Sequence, residues 1–173
     1  MRLLYLITRA EPGGAQVHLL ELLRGFRDRA ELHLGVGEDQ DGFLVEEARA
    51  LGVRVHLLRH LVRPHLLHAH SSKAGFLGRL AGRALGVKSV FTAHGWAFTD
   101  GVPEGMKRLA LSMERLAGRL GDLVLAVSEY DRALALRHKV APPERIRVVH
   151  NGVPDTPFRA DPRKEPPRLA MVA

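Results

Sequence analysis

"LLYLITRAEPGGAQVHLLELLRGF", residues 3–26, changes character twice, and those changes decide the fold. It opens on a short apolar run, which predicts a strand over Leu3–Thr8. A loop with two adjacent glycines, Gly13 and Gly14, follows. The apolar residues then fall into helical spacing, predicting a helix over Ala15–Arg27. Glycine has no Cβ, so backbone there can approach a ligand closely, and amides opening a helix can face an anion.

Outward from this unit the alternation continues. Strands are predicted over Ala30–Gly37, Val53–Leu57, Leu66–His70, Ser89–Ala93, Leu123–Val127 and Ile146–Val149. Helices are predicted over Phe43–Leu51, Lys73–Leu85, Glu104–Leu120 and Glu129–Lys139. Strands alternating with helices imply an α/β domain, a Rossmann-like parallel sheet flanked by helices. In the fourth of these five helices, Met106, Leu109, Ala110, Met113, Leu116, Ala117 and Leu120 recur at helical spacing and are expected to form one buried stripe. Ser128 followed by Asp131 reads as a capping box opening the fifth. Ala74, Gly75, Gly78, Ala81 and Gly82 place small residues along the third, for close approach to the sheet.

One connection looks too short. Only "LRHLVRPH" separates the strands ending at Leu57 and starting at Leu66, where a parallel crossover usually takes a dozen residues or more. A missing helix or a misread strand is the expectation. The tail "NGVPDTPFRADPRKEPPRLAMVA" holds five of the ten prolines and reads as a linker, with "RLAMVA" opening a new strand. The expected division is a domain over 1–155, then over 156–173 a linker and the start of a further domain.

Composition narrows the function. With 173 residues and 46% hydrophobic content, the chain suits one globular domain that buries roughly 70% of its unfolded surface. Absence of cysteine removes disulfides and thiolate metal sites and fits a reducing, cytoplasmic setting. No apolar run approaches the ~18–20 residues needed to span a bilayer, and "MRLLYLIT" reads as too short for a secretory leader. The net charge of +7 favours anionic partners, while 5% aromatics argue against a base-stacking nucleic-acid platform. The loop "AFTDGVPEGMKR", apolar and basic together, is a candidate for membrane contact through Lys107 and Arg108.

Four features fall at the carboxyl ends of predicted strands, where open α/β sheets bind ligands. The first is Gly13-Gly14, with Gln16 and His18 in the next turn. The second is "HAHSSKAG": His68 and His70 project to one side of a strand, and Ser71, Ser72 and Lys73 open a helix, suiting a phosphate or a sugar hydroxyl. Two histidines at this spacing could also bind zinc, but no third ligand stands at a recognisable spacing, so no metal is assigned. The third is His94 in "TAHGW", able to hydrogen-bond a substrate or serve as acid–base. The fourth is Ser128 in "SEYD" with Asn151-Gly152 in "VVHNGVP", which read equally as a helix cap and a tight turn.

The order and spacing of "GGAQVHLLELL", "HAHSSKAGFLGRLAGRALGV", "FTAHGW", "ERLAGRLGDLVLAVSEYD" and "RIRVVHNGVP" resembles the N-terminal half of retaining glycosyltransferase family 4 enzymes, which have the GT-B fold and build capsule, lipopolysaccharide and other glycoconjugates. The resemblance runs from Leu3 to Pro154. It implies that Gly13 and Gly14 line the reaction centre and face the donor diphosphate, with Gln16 and His18 on the acceptor side. It implies that His94 contacts the transferred sugar or the acceptor as the cleft histidine. His70, Ser72 and Lys73 match a stretch near the acceptor pocket, and Ser128, Asn151 and Gly152 rim the cleft.

The implied partners are a nucleoside diphosphate sugar and a glycan or lipid-linked acceptor, with no nucleic acid, no metal and no cofactor. The implied setting is the cytoplasm, with peripheral contact at the inner face of the membrane. In that family a C-terminal domain carries the Arg/Lys pair and paired glutamates that hold the donor, and these 173 residues do not supply them. Alone they are expected to be inactive and to bind nucleotide weakly. The alternatives are half of a sugar-nucleotide 2-epimerase, or a stand-alone nucleotide- or phosphate-binding module.

Overall fold

A computed structural model describes residues 1–37, 42–57, 64–99 and 101–152 of the chain. The elements run β1 (Arg2–Leu6), α1 (Gly14–Phe26), β2 (Glu31–Val36), α2 (Phe43–Ala50), β3 (Arg54–Leu57), β4 (Leu66–Ala69), α3 (Ser72–Leu85), β5 (Lys88–Ala93), α4 (Glu104–Leu120), β6 (Leu123–Ala126), α5 (Glu129–Arg137) and β7 (Ile146–Val148). Every strand and helix assigned a range from the sequence between Leu3 and Val149 is present, with ends that move by no more than two residues.

The seven strands form one parallel sheet in the order β3-β2-β1-β4-β5-β6-β7. β1 shows how a strand buried on both faces feeds two cores. Leu3, Tyr5 and Ile7 join the cluster under α1 and α2, which includes Leu19, Leu23, Leu34 and Leu44. Leu4 and Leu6 join the opposite cluster, with Phe91, Trp96, Phe98, Val124 and Ile146, where α3 and α5 contribute Ala74 and Ala135. The chain moves outward from β1 through β2 to β3 and from β4 through to β7 in opposite directions. Right-handed crossovers then place the two helix sets on opposite faces.

The short connection does not signal a misread strand, since β3 and β4 are both formed. They are not neighbours: β2 and β1 lie between them. Crossing three strand spacings takes ~14 Å and returning along one strand ~13 Å, which eight residues with an extended reach of ~26 Å can cover. The middle of that connection, 58–63, lies outside the described residues, as does the tail 153–173 with its expected linker and new strand.

α3 seats closely on the sheet as its small residues predict. A Cβ on Gly75 would stand 2.6 Å from the Phe91 ring, and one on Gly78 would stand 2.8 Å from Leu67. Against this face α3 holds a buried charge. Arg79 is fully buried and its guanidinium meets Glu114 of α4 at 2.7 Å, donates from Nε to the Gly75 carbonyl at 2.8 Å, and lies 4.3 Å above the Phe91 ring centre.

That ion pair overturns the expectation for α4. Its buried residues are Glu114, Ala117 and Gly118, and Gly118 packs directly against the Val140 carbonyl. Met106, Leu109, Met113 and Leu116, expected inside, are instead 65, 63, 41 and 50% exposed. The helix packs through its small residues and one paired charge, so the larger apolar side chains turn outward.

Candidate active site at the switch point of the sheet

Strand order reverses between β1 and β4, and the crevice outside their carboxyl ends is where such sheets bind ligands. The loop after β1 carries Gly13, which precedes α1 in an extended conformation, and Gly14, the first residue of that helix. Gln16 donates from Nε2 to the Arg9 carbonyl at 3.2 Å and straps the loop to the helix. A Cβ on Gly13 would meet only the end of the Gln16 side chain, and one on Gly14 would meet nothing within 4 Å. The pair therefore leaves exposed backbone rather than filling a packing requirement. Across the reversal, Thr8 and Ser71 share a hydrogen bond of 3.0 Å between their hydroxyls, tying the ends of β1 and β4.

Four histidines meet beside this loop on the α1 side of the sheet. His68 and His70 leave the same face of β4 and its end, as their spacing predicts, with ring centres 4.2 Å apart. His94 follows β5. His18, one turn into α1, lies 5.2 Å from His94 and 5.8 Å from His70 between ring centres. His68 Nε2 pairs with Thr92 Oγ1 at 2.8 Å, and His70 Nδ1 pairs with His94 Nε2 at 3.2 Å. Tyr5 packs beneath His68 and His70.

Gly95 explains how His94 reaches this cluster while Trp96 does not. Continued alternation would put Thr92, His94 and Trp96 on one side of the sheet. The φ of +137° at Gly95, open to glycine at little cost, turns the chain instead. Trp96 then enters the opposite core, donating from Nε1 to the Asp131 carbonyl at 2.9 Å and stacking on Phe98.

Burial makes this wall electrically neutral at ordinary pH. Desolvation, reinforced by neighbouring imidazoles, pulls His68 down to about 3 and His94 to about 4. The same causes hold His70 well below the usual value, and desolvation lowers His18. Negative charge in the crevice would thus meet backbone amides at the start of α1 and uncharged imidazoles, not imidazolium. Among the described residues no three His, Asp or Glu side chains are arranged to hold a metal ion.

The remaining sequence candidates separate. In the second motif the serine that engages the site is Ser71, which caps α3 by accepting from the Ala74 amide, while Ser72 and Lys73 are exposed on its first turn. Ser128 caps α5, accepting from the Asp131 amide at 3.0 Å and donating to its carboxylate at 2.6 Å. Asn151 and Gly152 are exposed beyond β7. Sequence reasoning passed over Thr8 and Thr92, which orient site residues. Their signal was position alone, a hydroxyl at the carboxyl end of a central strand.

The sequence profile of Glycosyltransferase Family 4 matches residues 12–156. The chain belongs to that family. It is 29% identical over 111 residues to the Escherichia coli UDP-Gal:alpha-D-GlcNAc-diphosphoundecaprenol alpha-1,3-galactosyltransferase, covering 64% of this chain and 28% of that one. It is 29% identical over 174 residues to the alpha-maltose-1-phosphate synthase of Mycolicibacterium smegmatis, covering 87% and 44%. The fold matches Anabaena HepE, solved with UDP and glucose, at a TM-score of 0.71 with 21% identity, over 88% of this chain and 45% of HepE. This family 4 chain thus has the architecture of the N-terminal half of a GT-B protein and spans less than half the length of these relatives.

Proposed function

We propose that this chain is the acceptor-side lobe of a retaining glycosyltransferase that moves a sugar from a nucleoside diphosphate donor to an acceptor hydroxyl in polysaccharide or glycoconjugate synthesis. The observation that carries this reading is convergence at the switch point: the Gly13-Gly14 loop, His18, His70 and His94 come together outside the ends of β1, β4 and β5. Family membership supports it, as do relatives named for UDP-galactose transfer and for UDP and glucose binding.

In this mechanism the α1 amides stabilise negative charge on the departing diphosphate. His94 hydrogen-bonds a sugar or acceptor oxygen and holds it near ~3 Å from the reacting carbon. The leaving phosphate takes the acceptor's proton on the face it departs from, which retains the anomeric configuration. A neutral His94 suits that positioning role. The epimerase alternative calls for carboxylates and histidines placed as acid–base pairs, and Glu11, the carboxylate on this loop, is exposed.

The acceptor is proposed to be lipid-linked, reached by peripheral contact with the cytoplasmic face of a membrane through α4. Its exposed Met106, Leu109, Met113 and Leu116 lie beside a row of exposed Arg108, Arg115 and Arg119. Lys107, expected to share in that contact, is half-buried.

The test is calorimetric titration of these 173 residues with UDP, UDP-glucose, UDP-galactose and GDP-mannose, alongside transfer assays on a chain extended by a donor-binding lobe. Binding weaker than ~1 μM is expected for the lobe alone. In the extended chain His94→Ala should lower kcat by about 100-fold, as for loss of a positioned polar group. Submicromolar binding by these residues alone, or full activity of His94→Ala, overturns the assignment.

A further inference from the structure

His70 is 1% exposed, and its two ring nitrogens have different fates. Nδ1 lies 3.2 Å from His94 Nε2. Nε2 is sealed from solvent with no hydrogen-bond partner among the described residues, and the rings of Tyr5, His18 and His68 pack around that of His70. One proton sits between His70 and His94, and there are two ways to place it. If His94 Nε2–H donated, the proton of neutral His70 would be on Nε2, leaving a buried N–H with no acceptor. If His70 Nδ1–H donates, Nε2 carries only a lone pair. Orphaned buried N–H groups are rarer in proteins than under-satisfied acceptors, which favours the arrangement that leaves only a lone pair unmet.

We propose that His70 is a positioning residue that fixes the tautomer of His94: His70 Nδ1–H donates to His94 Nε2, so His94 carries its proton on Nδ1. That nitrogen is bonded to no described residue, and the His94 ring is only part-buried. His94 therefore presents a hydrogen-bond donor to the crevice and no free basic nitrogen. Resting on the transferase reading, this restricts its role: it donates to a sugar or acceptor oxygen and does not remove the acceptor's proton. Thr92 does not compete for His70, because its hydroxyl is engaged with His68 Nε2.

Long-range ¹H–¹⁵N correlation spectra of the uniformly ¹⁵N-labelled chain at neutral pH test this without any substrate. His70 and His94 are assigned from the signals lost in His70→Asn and His94→Asn. The expected result is a protonated, pyrrole-type Nδ1 and a pyridine-type Nε2 on both rings. His70→Asn, whose amide can donate from the position of Nδ1, should leave His94 in that form. His70→Leu should release it toward the Nε2–H form that free imidazole side chains favour in water. His94 found as the Nε2–H form or as imidazolium in the unsubstituted chain overturns the proposal. So does a His94 pattern unmoved in a folded His70→Leu chain. If His70→Leu fails to fold, the unsubstituted spectrum still decides. A wrong tautomer would leave sugar transfer standing, and an absence of transfer would leave the tautomer standing, so the two failures are distinguishable.

Discussion

The histidines of the crevice carry a stability signature of their own. Each of His18, His68, His70 and His94 has a lower proton affinity in the fold than the free side chain, whose value is 6.5. Above that value the rings are neutral folded and unfolded, and no proton is linked to folding. As pH falls below it the unfolded chain takes up protons that the fold refuses, until His94 titrates at about 4 and His68 at about 3. Stability is thus full above about pH 6.5 and is lost as pH drops from there; each fully excluded proton costs on the order of 2 kcal/mol by pH 5. Urea-denaturation midpoints at pH 7.5 and pH 5 should show a clear fall, reduced in His68→Asn. Equal midpoints would contradict the buried, neutral cluster. At this scale the sequence spoke clearly where chemistry and position coincide. His94 stands at a strand end, and the i, i+2 spacing of His68 and His70 puts them on one side. It could not show that His70 and His94 share a hydrogen bond, because that depends on the register of β4 against β5. Nor could spacing choose Ser71 over Ser72, since only the cap geometry separates adjacent serines.

Among the elements, α3 was readable and α4 misled. The glycines of α3 admit one explanation, close approach to the sheet, and the Phe91 and Leu67 contacts fulfil it. A helical apolar stripe, by contrast, reports a face without reporting what covers it. In α4 the covered face is the neighbouring one, built on Ala117, Gly118 and the Glu114–Arg79 pair. Removing one partner of a buried pair leaves an uncompensated charge, so Glu114→Ala should destabilise by about 3–5 kcal/mol. The double change Arg79→Met with Glu114→Leu should recover most of that loss, as urea denaturation would show. A Glu114→Ala loss under ~1 kcal/mol, the scale of an exposed pair, would place the pair at the surface. The stripe displaced to the outside makes a second prediction. Binding to vesicles of anionic lipid, read by co-sedimentation, should fall several-fold in Leu109→Ser/Leu116→Ser and also in Arg108→Ala/Arg115→Ala/Arg119→Ala. Binding unchanged in both variants would discard membrane contact through α4.

For the whole molecule, the alternation of strand and helix patterns was enough for a parallel α/β sheet. Which strand lies beside which was not contained in that periodicity. The eight residues between β3 and β4 read as a defect only under the assumption that consecutive strands are neighbours. In the observed order they join the outer edge of one half to the inner edge of the other, so the apparent deletion coincides with the point where the sheet reverses. That reversal also opens the crevice, which is why the site was legible from motifs at strand ends before any strand order was known.

The central place of β1 has a further consequence for how this protein is made. Its five residues precede both partners in the chain, yet they pair with β2 on one side and with residues 66–69 on the other. A nascent chain that has not yet released β4 therefore holds this strand, four of its five residues destined for burial, with an open edge, a state prone to pairing with other chains. Synthesis that pauses between β1 and residue 66 would prolong that exposure, so aggregation during translation should track the speed of that stretch.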